Sequence, residues 1–239
     1  MHVSARERLL EGFLLRLARA ADADAFALRG GMLVRSWVPD AKRSIRDVDL
    51  VCSLPLASIG ARLRELLADR SVGDDVGFDA ERFRIDRWPG GSGVTLFAAG
   101  DAGGEPAEMM ADLWFGLDVW PAATRGVVVT ARGPIPMWLC PHELVIATKL
   151  GVLAELGPRH WRAKDLADIW IALRRFPPRI GVLGEAIERS CKAGWQQLLS
   201  AAWWREPRAQ LRWARESERP LDAVVAEVRQ ALAPLARRS

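Results

Sequence analysis

Nothing narrows the fold of this chain as sharply as a change of pattern at "GPIP", Gly133 to Pro136. Ahead of it, "AFAL", "DVDLVCS", "RFRIDRW", "VTLFAA", "AEMMADLWF" and "RGVVVTAR" read as strands, parted by turns such as "PGGSG" and "GDAGG". Three helices are interspersed: Arg6 to Ala21, with its leucines and Phe13 at helical spacing, "MLVRSW", which must stop before Pro39, and Leu56 to Arg70. Behind it every pattern is helical. Pro141 opens "PHELVIATKLGVLAEL", "RAKDLADIWIALRRF" follows, and breaks fall near Pro177-Pro178, Gly194, Pro207 and Pro220. This order predicts an α+β front, residues 1–135, and an all-helical back, residues 136–239.

The chain is 50% apolar and 27% charged over 239 residues, ordinary for a globular protein. No apolar run nears the roughly 18 residues of a membrane span, and the charged N-terminus lacks a signal-peptide pattern. A cytoplasmic protein with no membrane segment is expected. Cys52, Cys140 and Cys191 form no CxxC pair, which argues against a disulfide framework and against a zinc site.

Charge is unevenly placed. From Pro158 onward 16 Lys and Arg face 9 Asp and Glu, a surplus of 7, whereas the preceding residues hold 18 against 21, a deficit of 3. An acidic front and a basic back suit metal in one half and a polyanion against the other; a solvated basic surface fits as well. The Trp/Arg stretch "WWREPRAQLRWAR", Trp203 to Arg215, can stack on a nucleic acid or pack its tryptophans into the helical core. Only four of the 34 cations are lysine: Lys42, Lys149, Lys164 and Lys192. Lys149 sits in the nearly all-apolar "LVIATKLGVL", where an ammonium needs an acid or an anion as partner unless it snorkels to water. Asp165 and Asp168 share one face of the next helix, and Lys164, four residues before Asp168, is spaced for a helix salt bridge.

Two acids in "RSIRDVDLVC" carry the chemistry. Residues i and i+2 of a strand point to one face, so Asp47 and Asp49 project together while Val48 and Leu50 face the core. Such a pair repels unless something positive compensates. Arg43 and Arg46 can do so as salt bridges; a divalent metal does it better, since Mg²⁺ takes carboxylate oxygens and substrate phosphates together. Asp112, a single acid inside the apolar run that follows Glu108 in "EMMADLWF", is a candidate third carboxylate. Gly30-Gly31, between strand and helix, would let backbone amides approach a triphosphate, or simply make a tight turn.

With these residues in order, "FALRGGMLVRSWVPDAKRSIRDVDLV" resembles the first motif of the AbiEii/AbiGii toxin-like nucleotidyltransferases of the DNA polymerase beta nucleotidyltransferase superfamily, to which MenT-type toxins are related. "MMADLWFG", "ELVIATKLGVL" and "RAKDLADIWIAL" resemble the later landmarks, so the likeness runs from about Phe26 to Leu173. It implies a nucleotidyltransferase-type mixed sheet with flanking helices, followed by the helical region. It also implies catalytic Asp47, Asp49, Asp112, Lys149 and Asp165; metal ligands Asp47, Asp49 and Asp112; and nucleotide contacts at Gly30, Gly31, Arg43 and Lys149. Mg²⁺ or Mn²⁺ would be the cofactor and an NTP the substrate. The acceptor would be an RNA such as a tRNA 3′ end, and the partner a cognate antitoxin. Two other readings stay open: transfer to a small hydroxylated molecule such as an antibiotic, and a degenerate module that binds RNA or a partner without chemistry. The chain departs from the family pattern at Gly31, Ile45 and Thr148, where a serine, a Ser or Thr, and an acid are common.

Overall fold

The alternating runs of the front half build one sheet. A computed structural model describes residues 3–38, 45–191, 194–206, 209–214 and 217–236. The chain divides into two compact units, residues 1–117 with 123–139, and residues 118–122 with 140–239.

In the first unit, α1 (Ala5–Arg19) starts on a capping box in which Ser4 and Glu7 satisfy each other's backbone amides, so the helix begins where its orphan donors find partners. Its Leu9, Leu10, Phe13, Leu14 and Leu17 are buried. There follow β1 (Phe26–Arg29), α2 (Gly30–Trp37), β2 (Val48–Cys52), α3 (Ile59–Ala68), β3 (Val76–Arg87), β4 (Gly93–Ala102), β5 (Glu105–Phe115), β6 (Thr124–Thr130) and β7 (Gly133–Leu139). The sheet order is β3-β4-β5-β2-β1-β7-β6. β2 runs antiparallel to β1 and parallel to β5, and β1 runs parallel to β7, so the sheet is mixed.

β7 is the strand the sequence hides. Pro134 and Pro136 read as a break because proline cannot donate to a ladder. Being of one parity, both can turn the missing N–H away from β6, with which they pair, and β1 reaches β7 only beyond them, at Trp138 and Leu139.

The second unit is helical: α4 (His142–His160), α5 (Ala163–Arg175), α6 (Ile180–Ser190), α7 (Ala209–Trp213) and α8 (Leu221–Ala236), with short 3₁₀ turns between. Its tryptophans build core. Trp203 and Trp204 meet edge-on at 4.5 Å, Trp161 meets Trp204 at 5.2 Å, and Trp213 is buried. Arg212 lies 5.4 Å from the Trp161 ring and pairs with Glu206 at 2.7 Å. The tryptophans of the Trp/Arg stretch therefore pack into the helical unit, while Arg205 is exposed. No described helix is long and apolar enough to cross a membrane.

Candidate active site

Register across four strands places the chemistry. β1, β2, β5 and β4 bring Arg29, Asp49, Asp112 and Thr95 directly opposite one another in a single row. In-register neighbours share a face, about 5 Å apart. The residues on either side, Val48, Leu50, Ala111, Leu113, Val94 and Leu96, point the other way and are fully buried. The sheet thus presents one polar row over an apolar underside, as the alternation of "DVDLV" requires. Asp47 stands immediately before β2, half-buried, and its charge reaches Asp112.

Gly30 shapes this row. Its φ is +69°, and a Cβ there would stand 1.9 Å from Asp49 Oδ2. Asp49 accordingly lies against the first residue of α2, whose N-terminal amides favour a negative charge. Gly31, expected as the second half of a turn, is the second residue of that helix.

Asp112 holds its proton more tightly than an ordinary aspartate. Burial is the main cause; a hydrogen bond from Thr95 opposes it, the charges of Asp49 and Asp47 add to it, and Arg29 partly relieves it. Thr95 Oγ1 lies 2.6 Å from Asp112 Oδ1, and Trp88 Nε1 donates to Thr95 Oγ1 at 2.9 Å. Arg29 rests 4.6 Å from the Trp114 ring, and its Nη1 is buried with no hydrogen-bond partner among the described residues.

Arg29 and Thr95 escaped the sequence reading. Arg29 falls just beyond the strand read as "AFAL". Thr95, the lone polar residue of "VTLFAA", was the available signal, but only register shows what it faces.

Among the described residues no three His, Cys, Asp or Glu side chains stand close enough to hold a metal ion as they are placed. The donor chemistry still fits Mg²⁺, which needs only one or two carboxylates besides substrate phosphates. Asp49 and Asp112 are such a pair.

The second unit holds a charged cluster of its own. Lys149 Nζ lies 2.9 Å from Asp165 Oδ1 and 2.6 Å from Asp168 Oδ2, and Arg162 Nε donates to Asp165 Oδ2 at 2.7 Å. Both aspartates are buried. Burial alone would raise the Asp165 carboxyl, but the charges of Lys149 and Arg162 outweigh it and hold it below the ordinary range. Asp168, spaced in sequence for Lys164, pairs with Lys149. The Thr148 hydroxyl, at one of the departures from the family pattern, bonds back to Leu144 O at 2.9 Å. Arg43, expected at the nucleotide, lies outside the described residues, and Arg46 is exposed. None of the three cysteines is in a disulfide, and burial pushes the Cys52 thiol up to about 11.

A mixed sheet carrying in-register acids beside a glycine-started helix, followed by a helical region, is a nucleotidyltransferase-type architecture. The chain belongs to the AbiEii family: residues 12–233 match the family described as nucleotidyl transferase AbiEii toxin, type IV TA system. Its fold is similar to that of JHP933 from Helicobacter pylori, at 13% identity and a TM-score of 0.59, covering 98% of this chain and 91% of that one. It is also similar to a second Helicobacter pylori protein, provisionally named a nucleotidyltransferase, at 12% identity and a TM-score of 0.56, covering 98% of this chain and 94% of that one. No curated protein matches the chain.

Proposed function

We propose that the protein is a metal-dependent nucleotidyltransferase that moves a nucleotide from an NTP to a hydroxyl of an RNA, such as a tRNA 3′ end, and acts as a toxin held by a cognate antitoxin. The observation that carries this reading is the pairing of Asp49 with Asp112 across β2 and β5, with Asp49 against Gly30 at the start of α2. Asp49 and Asp112 would hold Mg²⁺ or Mn²⁺, with Asp47 adding its charge nearby. Bound there, the ion would polarise the triphosphate and acidify the acceptor hydroxyl.

The chain's own groups would do the rest. Gly30 lets backbone approach a phosphate, and the amides opening α2 point toward an anion. Arg29 supplies a cation on the same face, with an N–H to spare. Asp112, whose proton is held more tightly through burial and the charges of Asp49 and Asp47, would take the proton of the attacking hydroxyl. The hydroxyl oxygen then bonds to the α-phosphorus as pyrophosphate departs. Lys149 and Asp165 join the catalytic set through the family resemblance. An RNA acceptor is favoured by the surplus of 7 positive charges from Pro158 onward.

The test is Mg²⁺-dependent pyrophosphate release by the full chain, each NTP offered with a purified tRNA pool. Release that requires tRNA and vanishes in Asp49→Ala supports the reading. Release with small hydroxylated acceptors alone would redirect it, and no release with any acceptor would leave a binding module.

A further inference from the structure

We propose that Thr95 and Trp88 are positioning residues that lock the Asp112 carboxylate in its place beside Asp49, an inference that rests on the metal-dependent reading above. An indole N–H can only donate, and a threonine hydroxyl has one proton to give. Trp88 Nε1 donates to Thr95 Oγ1 at 2.9 Å, so a lone pair of the hydroxyl is occupied and its one proton is directed to Asp112 Oδ1, 2.6 Å away. The relay runs in one direction, and it holds one oxygen of Asp112 while leaving Oδ2 outside that bond.

The hairpin between β3 and β4 is shaped to seat the relay. Trp88 N donates to Gly93 O at 2.9 Å, and Gly90 and Gly91, both at positive φ, turn the chain between them. The Trp88 ring lies over Gly93, where a Cβ would stand 2.1 Å from its Cε3, and meets the Trp114 ring edge-on at 4.7 Å. Two residues of "WPGGSG" thus have assigned work: Gly93 leaves the space, and Trp88 fills it with its N–H aimed at Thr95. Trp114 lies two residues beyond Asp112 on β5, so the support and the carboxylate share one face of the sheet.

A ligand carboxylate held by a neighbouring hydrogen bond need not be ordered when the cation arrives. Removing such a partner costs about 10–100-fold in metal affinity. The full chain is titrated with Mn²⁺ by calorimetry, without nucleotide, as wild type, Thr95→Val, Thr95→Ser and Trp88→Phe, and pyrophosphate release is followed in parallel. Thr95→Val should weaken Mn²⁺ binding about 10–100-fold and lower kcat more than it raises KM for the NTP. Thr95→Ser, which keeps the hydroxyl, should restore both. Trp88→Phe, which keeps a ring but frees the hydroxyl to rotate, should fall between and gives a second variant if valine misfolds. Thr95→Val binding Mn²⁺ as wild type does, or Thr95→Ser as weak as valine, overturns the relay alone. A wild-type chain that binds no Mn²⁺ overturns the metal site and the relay with it. Mn²⁺ binding that depends on Thr95, without pyrophosphate release from any variant, leaves the relay standing and removes the transfer reaction.

Discussion

One absent methyl group decides where Asp49 can stand. In Gly30→Ala the new Cβ would fall 1.9 Å from Asp49 Oδ2, at a φ of +69° that a side chain resists. The backbone penalty alone is about 1–2 kcal/mol. The substitution should lower the melting temperature and abolish transfer; a melt and activity like wild type would show that the contact is not needed. Asp112→Asn tests the opposite balance. A carboxyl whose proton is held more tightly folded than unfolded destabilises the native state once it ionises, so stability declines as pH rises through its raised range. In metal-free buffer Asp112→Asn should therefore be the more stable protein at pH 7. The advantage should shrink on acidification and be gone below about pH 3.9, the ordinary aspartate value. Denaturant unfolding at a series of pH values reads this directly, and a less stable Asn variant at neutral pH would mean that Asp112 is held by partners stronger than Thr95.

At the scale of the element, α4 and α5 are pinned by charge as well as by leucines. Lys149 reaches from α4 to both Asp165 and Asp168 of α5, so its partners are acids already in place. Lys149→Met keeps most of the stem but removes the ammonium that two buried carboxylates share, of which Asp165 keeps Arg162, and should cost about 3–5 kcal/mol. A variant as stable as wild type would show that the aspartates find other donors or take up protons. Because Asp165 is held below its ordinary pKa, its contribution is full above about pH 3.9 and is lost as pH falls through its lowered folded value. Acid should therefore loosen this helix pair, and Lys149→Met should flatten that loss. β7 makes a related point: its two prolines are tolerated because of where its neighbours begin and end, which belongs to the pairing of strands.

For the whole molecule, the uneven charge sets the expectation for RNA. If the surplus cations neutralise phosphates, tRNA affinity should fall linearly in log–log against salt, with a slope of about −0.7 to −0.9 per phosphate contacted. Filter binding between low and moderate salt measures it, and a flat dependence would remove the polyanion from the reading. Arg212 should not be enlisted as an RNA contact in such work. It is tied to Glu206 and lies against Trp161, so reversing its charge would disturb the helical core before it disturbed RNA.

The sequence by itself determined the mixed layout of a strand-rich front and a helical back, because period-2 and helical patterns are local. It also determined that Asp47 and Asp49 flank a buried Val48 and that Asp112 is the one acid in the apolar run Met109 to Phe115. Those statements need only the direction of successive side chains along one segment. Only the tertiary structure decided the rest. Register between strands far apart in the chain set Arg29, Asp49, Asp112 and Thr95 in one row and folded Trp88 back onto Thr95. Packing of one helix on the next gave Lys149 two aspartates where spacing along α5 had offered Asp168 to Lys164. Pairing across a sheet or between helices is a long-range choice, made by the burial of the whole apolar underside and core at once, and no short stretch of residues contains it.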